Sequence, residues 1–237
     1  MRFEDLDISE SIVSQLKEQG ITEPTEVQER SIPEIFAGKD MLVESETGSG
    51  KTLAFSLPII EQVKGEDTKA LVLTPTRELA KQVSEEIEKN SPEKIDTVTI
   101  YGGVSYDPQI QGAKKANIVV GTPGRVLDLL KQKKIDVSGL DYFILDEADR
   151  MLDMGFIHDI RRLFRLLPPN RQNLLYSATF SDEIRELAKG MVHDPIEVSV
   201  TPPNSTVERS PSIKTVASSR SLSAAASRIR GRVRAAM

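Results

Sequence analysis

Short apolar runs alternate with helical patterns along most of the chain. Most of these runs are apolar without interruption, which is typical of strands that are buried on both faces of a sheet. The predicted strands are Met41–Glu44, Ala70–Thr74, Thr97–Tyr101, Ile118–Gly121, Tyr142–Leu145, Asn173–Ser177 and Ile196–Val200.

The segments around these strands repeat their apolar residues at helical spacing. The predicted helices are Glu10–Gln19, Glu26–Phe36, Leu53–Val63, Glu78–Lys89, Arg125–Gln132, Ile157–Leu167 and Asp182–Gly190. Strands that alternate with helices favour a mostly parallel sheet with helices on both faces, so the sequence predicts an α/β fold. Ligands of such sheets bind at the carboxyl ends of the strands, and the loops there are where chemistry is expected.

Composition excludes several classes of protein. The 237 residues include no cysteine, which removes thiol catalysis and Cys-based zinc sites. No apolar run approaches the roughly 20 residues of a membrane span. The acidic first residues lack the apolar run of a secretory signal. We therefore expect a cytoplasmic protein that does not contact a membrane.

Charge is unevenly distributed along the chain. The net charge is −5, yet residues 210–237 contain six basic residues and no acidic one, so the remainder is strongly acidic. An acidic surface argues against broad nonspecific nucleic-acid binding but leaves room for a local site. The change in composition predicts a folded domain at residues 1–208. It also predicts a basic Ser/Ala/Arg-rich tail at 209–237 that is disordered or weakly helical.

A Gly-rich loop follows the first predicted strand and precedes a predicted helix. Its sequence is Ser45-Glu46-Thr47-Gly48-Ser49-Gly50-Lys51-Thr52. Gly48 and Gly50 allow backbone amides to converge on phosphate oxygens at the start of the helix. Lys51 adds a positive charge at the β- and γ-phosphates, and the Thr52 hydroxyl can ligate Mg²⁺. The sequence therefore predicts a P-loop, with Ser45 at a position where Gly or Ala is usual.

An acidic segment, Asp146-Glu147-Ala148-Asp149, directly follows the predicted strand Tyr142–Leu145. An acid in this place, on the same sheet as a phosphate loop, indicates the metal side of a nucleoside triphosphatase. Asp146 would hold Mg²⁺ through water, and Glu147 would orient or deprotonate the attacking water. The alternative is that the acids only stabilise the first turn of a following helix.

With these two motifs in place, residues 1 to about 208 resemble the first RecA-like domain of DEAD-box ATP-dependent RNA helicases. Further motifs of that family occur in the family's order, each directly after a predicted strand. They are Pro75-Thr76-Arg77-Glu78-Leu79-Ala80, Gly102-Gly103, Thr122-Pro123-Gly124-Arg125 and Ser177-Ala178-Thr179. The resemblance implies a RecA-like P-loop fold, ATP and Mg²⁺ as cofactors, and RNA as a partner. It also implies catalytic roles for Lys51, Asp146 and Glu147.

The segment Gly20–Gln28 is similar to the adenine-reading Q motif of the family, with Phe3 as its upstream aromatic residue. Gln28 carries both an acceptor and a donor, which match adenine and not guanine. Thr25 and Gln28 also form the pattern of a helix capping box, and both interpretations can hold together. Ile21 stands where the family usually has an aromatic residue, so we expect weaker adenine binding.

The remaining motifs carry groups that suit the sugar–phosphate backbone of RNA. These groups are the amides of Gly102, Gly103 and Gly124, the hydroxyls of Thr76 and Thr122, and the guanidiniums of Arg77 and Arg125, with Pro75 and Pro123 in the same motifs. Contacts of this kind carry no base information, so the expected binding is sequence-independent. The alternative for the two arginines is that they are solvated residues at helix starts. By resemblance, Asp149, Ser177, Ala178 and Thr179 would couple the nucleotide state to the RNA surface.

The resemblance further implies a second RecA-like domain in the full-length protein, which supplies arginine fingers. The segment Arg228–Arg234 has a similar composition but not the family's spacing. The tail at 209–237 does not resemble the family, so the alternative to a disordered tail is one that is not native to the family. We therefore expect the 237-residue chain alone to be inactive or nearly so as a helicase. The alternative is a non-catalytic module that binds nucleotide or RNA, or docks a partner.

Overall fold

The computed structural model describes residues 1–63, 69–92 and 95–200. The predicted tail at 209–237 and the predicted domain boundary near residue 208 lie outside the described residues. Within the described ranges, no helix combines the length and the apolar character that crossing a membrane requires.

Seven strands form one sheet in which every pair of neighbours is parallel. The strands are β1 (Met41–Ser45), β2 (Ala70–Leu73), β3 (Thr97–Ile100), β4 (Ile118–Gly121), β5 (Tyr142–Leu145), β6 (Gln172–Ser177) and β7 (Ile196–Val200). Their order across the sheet is β3-β4-β2-β5-β6-β1-β7. The predicted parallel α/β fold is confirmed.

Helices connect the strands and cover both faces of the sheet. In the described part of the chain they are a 3₁₀ helix (Phe3–Leu6), α1 (Glu10–Glu18), α2 (Glu26–Phe36), α3 (Lys51–Gln62), α4 (Arg77–Lys89), α5 (Tyr106–Ala113), α6 (Pro123–Lys131), α7 (Ala148–Asp153), α8 (Ile157–Phe164) and α9 (Asp182–Lys189). The sequence patterns did not predict α5 or α7. Helix α7 has only six residues, and α5 contains Pro108 and Gly112, which interrupt an apolar pattern.

The core consists of two layers, one on each face of the sheet. Met41 and Val43 of β1 pack in the layer that the 3₁₀ helix and α1 to α4 cover. Leu42, between them, packs in the layer that α5 to α9 cover. Successive side chains of a strand point to opposite faces, so a strand covered on both faces is apolar at every position.

The strand order divides the carboxyl edge of the sheet into two halves. Strands β1, β6 and β5 are neighbours, so the P-loop, the Ser177-Ala178-Thr179 segment and the acidic segment lie side by side. Strands β2, β4 and β3 are also neighbours, and the loops predicted to bind RNA follow them. We call these two regions the nucleotide half and the RNA half of the edge.

Candidate nucleotide and RNA site

The P-loop connects β1 directly to α3, as predicted. Gly48 and Gly50 have φ angles of +84° and +94°, in the left-handed region that glycine adopts at little cost. The hydroxyls of Ser45 and Ser49 hydrogen-bond to each other across the loop. The remaining loop residues differ in exposure: Glu46, Thr47 and Gly48 are exposed, and Thr52 is half-buried in the first turn of α3. The loop is therefore closed at its base and open to solvent at its tip.

Lys51 lies inside the loop and is only 6% exposed. Its Nζ donates a hydrogen bond to the carbonyl oxygen of Ser45 at 2.7 Å. A buried ammonium needs such a partner, because an uncompensated charge in the interior is costly. This bond holds the positive charge next to the first residue of the loop.

The pKa of Asp146, in the nucleotide half, is strongly perturbed. This residue follows β5, is 3% exposed, and donates its backbone N–H to the carbonyl oxygen of Leu73 at 2.9 Å. Burial raises the pKa of its carboxyl to about 7, the Lys51 ammonium opposes this rise, and the charges of Glu147 and Asp149 add to it. Its Oδ1 is buried and has no hydrogen-bond partner within the described residues. A buried oxygen of this kind would be satisfied by a bound cation.

Glu147 adopts an unusual backbone conformation beside Asp146. Its φ and ψ angles are 56° and 53°, in the left-handed region that is uncommon for a residue with a side chain. Its carboxylate accepts a hydrogen bond from Nη1 of Arg150 at 3.2 Å. Strained backbone at the end of a sheet strand is typical of functional sites.

Hydrogen bonds join the acidic segment to the segment after β6. Buried Ser177 donates from Oγ to the carbonyl oxygen of Thr179 at 2.7 Å and accepts from the backbone N–H of Asp149 at 3.2 Å. The Thr179 hydroxyl also lies 3.5 Å from Oδ2 of Asp149. Ala178 is half-buried between them. The structure thus brings together the residues that were predicted to couple the two halves.

Gln28 connects α2 to the P-loop. Its side chain is 2% exposed; Oε1 accepts from the backbone N–H of Thr25 at 2.9 Å, and Nε2 donates to the carbonyl oxygen of Gly50 at 3.1 Å. The first of these bonds is the glutamine half of the predicted capping box. The carboxamide keeps one N–H and one lone pair that these bonds do not use.

Phe3 and Ile21 occupy packing positions. Phe3 is 1% exposed within the 3₁₀ helix, so no face of its ring is available to a base in this conformation. Half-buried Ile21 packs on the same core layer, and its N–H donates to the carbonyl oxygen of Leu16 at 2.9 Å. Their predicted contacts with adenine stay predictions.

On the RNA half, Thr76 is the N-cap of α4. Its Oγ1 accepts from the backbone N–H of Leu79 at 3.2 Å, which leaves the hydroxyl proton available for a ligand. Pro75 is buried beside it. Arg77 is exposed and forms an ion pair with Glu78, so it matches the alternative of a solvated helix-start residue as well as that of a phosphate ligand.

Arg125 has a third role, which neither alternative anticipated. Its Nη1 donates to the carbonyl oxygen of Val104 at 3.0 Å, and its guanidinium lies over the Tyr106 ring, 3.9 Å from the centroid. Thr122 is the half-buried N-cap of α6, Pro123 is buried, and Gly124 is half-buried. Gly102 and Gly103 are exposed in the loop that Arg125 supports.

The sequence patterns missed one residue of this region, Gln109. It lies in α5 and hydrogen-bonds to both ends of the loop that contains Gly102 and Gly103. The available signal was a polar residue close after a Gly-Gly pair. That signal has meaning only once α5 is known to face β3.

The glycine-rich loop follows β1, and the buried aspartate follows β5, which lies two strands away in the same parallel sheet. This arrangement is typical of the class of RecA-like P-loop nucleotide-binding domains. Residues 25–187 match the DEAD/DEAH box helicase family. The chain belongs to this family.

Individual relatives agree with this assignment. The chain is 44% identical over 210 residues to RNA helicase CrhR of Synechocystis sp.. The matched region covers 87% of this chain and 43% of that protein. The chain is also 44% identical over 207 residues to DEAD-box ATP-dependent RNA helicase RhpA of Helicobacter pylori, covering 86% of this chain and 42% of that protein. The chain therefore spans about two fifths of the length of these curated relatives.

Solved structures show the same fold. A crystal structure of a DEAD box protein from the hyperthermophile Methanococcus jannaschii superposes with a TM-score of 0.83 at 40% identity, covering 85% of this chain and 56% of that one. A hypothetical ATP-dependent RNA helicase from Sulfolobus tokodaii superposes with a TM-score of 0.77, also at 40% identity, covering 81% of this chain and 57% of that one.

Proposed function

We propose that this chain is the first RecA-like domain of a DEAD-box ATP-dependent RNA helicase. It binds ATP and Mg²⁺ at the nucleotide half of the sheet edge and RNA at the RNA half. The observation that carries the proposal is the buried, unpartnered Oδ1 of Asp146 in the electrostatic field of Lys51. The similarity to proteins that are named DEAD-box ATP-dependent RNA helicases supports it.

In this proposal the P-loop amides and Lys51 bind the phosphates, and Gln28 reads the base. The unused N–H and lone pair of Gln28 match N7 and the N6 amine of adenine, whereas guanine offers two acceptors there. Ile21 and the buried Phe3 provide no exposed aromatic face for stacking, so the expected affinity is modest.

Thr52 and Asp146 are the residues that would hold Mg²⁺. When bound, the ion would neutralise charge on the β- and γ-phosphates. The described residues contain no cluster of three or more acids or histidines that could enclose a metal ion. This fits Mg²⁺, which commonly keeps several waters and binds one or two carboxylates together with substrate phosphates. Glu147 would orient or deprotonate the attacking water.

On the RNA half, the amides of Gly102, Gly103 and Gly124 and the hydroxyls of Thr76 and Thr122 would contact phosphates and sugars without reading sequence. The hydrogen bonds among Asp149, Ser177 and Thr179 offer a physical link between the two halves. We propose that nucleotide binding and RNA binding are coupled through these bonds, with Ala178 as the connecting residue.

We further propose that hydrolysis and duplex separation require a second RecA-like domain. Without it, the chain would bind nucleotide and RNA without efficient turnover, as in the alternative of a non-catalytic module. We also propose a cytoplasmic location, which the cysteine-free sequence and the RNA-binding function support.

Isothermal titration of the 237-residue chain with ADP, GDP and a non-hydrolysable ATP analogue, with and without Mg²⁺, tests the nucleotide site. We expect ADP to bind more tightly than GDP, and Mg²⁺ to tighten binding of the analogue. Asp146→Asn should abolish the Mg²⁺ effect, whereas Asp153→Asn, at an exposed acid of α7, should retain it. Equal affinity for ADP and GDP, or an unchanged Mg²⁺ effect in Asp146→Asn, would contradict the proposal.

A further inference from the structure

We propose that Gln109 is a positioning residue for RNA. It holds loop 101–105 in the shape in which Gly102 and Gly103 present their backbone amides to the sugar–phosphate backbone. This inference rests on the proposed RNA-binding function of that loop and names the residue that prepares it.

Gln109 closes the loop at both of its ends. The residue lies in α5 and is 6% exposed. Its Oε1 accepts from the backbone N–H of Tyr101 at 3.1 Å, while its Nε2 donates to the carbonyl oxygens of Tyr101 at 3.0 Å and Ser105 at 3.4 Å. Because it is buried, it acts through the loop and not by touching RNA itself.

The position of β3 explains why Tyr101 needs this partner. Strand β3 is at the edge of the sheet, and the carbonyl oxygen of Ile100 accepts from Thr122 on the side of β4. Successive residues of a strand direct their backbone groups to opposite sides, so the N–H and carbonyl of Tyr101 face the open edge. The carboxamide of Gln109 supplies one acceptor and one donor there, as a neighbouring strand would.

A second support acts on the middle of the loop. Arg125 donates to the carbonyl oxygen of Val104 at 3.0 Å and stacks on Tyr106. Tyr106 in turn donates its hydroxyl to Oδ2 of Asp128 at 2.6 Å. The loop is thus held at Tyr101, Val104 and Ser105, on both sides of the glycine pair.

The two glycines between these supports face open space. A Cβ atom built on Gly102 or Gly103 would meet no other atom within 4 Å. Gly103 has a φ of +83°, which turns the chain in a way that favours glycine. Because the flanks are fixed and the glycines remain accessible, the loop does not lose conformational freedom when RNA binds. The amides of the two glycines are therefore already positioned for a ligand.

The matched variants are Gln109→Met and Gln111→Met. Methionine fills the volume of glutamine without its hydrogen bonds, and Gln111 is an exposed residue of the same helix. Three quantities are measured on the full 237-residue chain. These are the amide exchange rate of Tyr101 by NMR, the affinity for a single-stranded oligouridylate at low salt, and the affinity for ADP.

For Gln109→Met we expect faster exchange of the Tyr101 amide and RNA binding about 5- to 10-fold weaker, as for a loop that must be ordered on binding. ADP affinity should stay within about twofold, since the nucleotide half is untouched. Gln111→Met should change none of the three. If Gln109→Met does not fold, Gln109→Asn replaces it, because its amide is one carbon too short to bond to both Tyr101 and Ser105.

Each other outcome overturns the inference in a distinct way. Unchanged exchange at Tyr101 would show that Gln109 does not hold the loop. Faster exchange with unchanged RNA affinity would show that the loop's shape does not matter for RNA. An equal loss of ADP affinity would indicate a general defect of the fold. Absence of RNA binding by the wild-type chain would refute the proposed RNA-binding function and this inference with it, while the exchange rates would still report on the contact itself.

Discussion

The side-chain amide of Gln28 donates to the backbone carbonyl of Gly50, with 3.1 Å between Nε2 and the oxygen. The residue predicted to read the base is therefore bonded to the loop predicted to bind the phosphates. The contact is tight, since a Cβ on Gly50 would lie 2.5 Å from Nε2 of Gln28 and 2.9 Å from Oγ1 of Thr25. Base recognition and phosphate recognition should consequently respond together to changes at this contact.

Gly50→Ala and Gly48→Ala separate this contact from simple backbone strain. Both glycines have positive φ, so each alanine costs about 1 kcal/mol in backbone conformation. Only the methyl group at position 50 would collide with Gln28 and Thr25, because a Cβ on Gly48 meets no atom within 4 Å. We expect Gly50→Ala to lose most of its preference for ADP over GDP in calorimetric titration, and Gly48→Ala to keep that ratio. Equal ratios in the two variants would show that Gln28 does not read the base.

Lys51→Met removes the buried ammonium while keeping most of the volume of the side chain. Losing one charged hydrogen bond to a phosphate should weaken ATP-analogue binding about 10- to 100-fold, or about 1.5–3 kcal/mol. The melting temperature should change by less than about 5 °C, because methionine can fill the space that the lysine stem occupies. Lys131→Met, at an exposed lysine of α6, is the control. A Lys51→Met chain that is unfolded by circular dichroism would instead assign Lys51 a structural role.

Asp146 should make the metal-free fold less stable as pH rises. Its folded pKa of about 7 lies above the ordinary value of 3.8, so the folded state binds the proton more tightly than the unfolded chain does. Between these two values, the free energy of unfolding therefore falls with increasing pH. The charged groups that act on this carboxyl are Lys51, Glu147 and Asp149.

Asp146→Asn should remove that contribution, because asparagine resembles the protonated carboxyl. In EDTA at pH 8 we expect the variant to be more stable than wild type by about 1–4 kcal/mol, and the difference to vanish towards pH 4. Urea unfolding at several pH values measures it, with Asp153→Asn as the control. Parallel pH curves for wild type and Asp146→Asn would refute the buried, ionising carboxyl.

The sequence predicted the sheet well because burial on both faces leaves a local signature. Each of the seven strands is found within one residue of its predicted bounds, and each motif that was predicted to follow a strand lies at the carboxyl end of that strand. The pairings in the site are different, because they join segments that are distant in sequence. The bond from Arg125 to Val104 spans 21 residues, and the aspartate–serine bond between positions 149 and 177 spans 28. No local pattern encodes such distances.

Two residues show where local patterns fall short. Phe3 matches an adenine-binding position by resemblance, and in the structure its ring fills the core beneath α1 and α2, so its contact with adenine stays a prediction. Gln109 was overlooked because a buried glutamine breaks the apolar face by which a helix is recognised. The carboxamide of Gln109 finds its hydrogen-bond partners at the open edge of β3. That edge can be identified only when the strand order is known.

ATP turnover decides between a helicase domain and a non-catalytic module. In the proposed mechanism Lys51, Thr52, Asp146 and Glu147 would supply the metal side and the water side of phosphoryl transfer, but the growing charge on the γ-phosphate also needs a cation from the opposite side. In related reactions an arginine finger contributes about 10³–10⁵ in rate. We therefore expect the purified 237-residue chain, with saturating ATP, Mg²⁺ and RNA, to release phosphate at least about 10³-fold more slowly than the same chain fused to a DEAD-box second domain.

The fusion also provides the control for this experiment. Fused Glu147→Gln should stay as slow as the single domain, because the residue that orients the water is then neutral, and this excludes a contaminating ATPase as the source of phosphate. If the fusion remains slow although it binds ATP and RNA, the chain is a binding module and its P-loop does not support hydrolysis. If instead the 237-residue chain alone turns over near 1 s⁻¹, roughly the rate of a complete enzyme, it carries its own finger. Arg228–Arg234 would then be the first segment to replace with alanine, because no other seven-residue segment of the sequence contains four arginines.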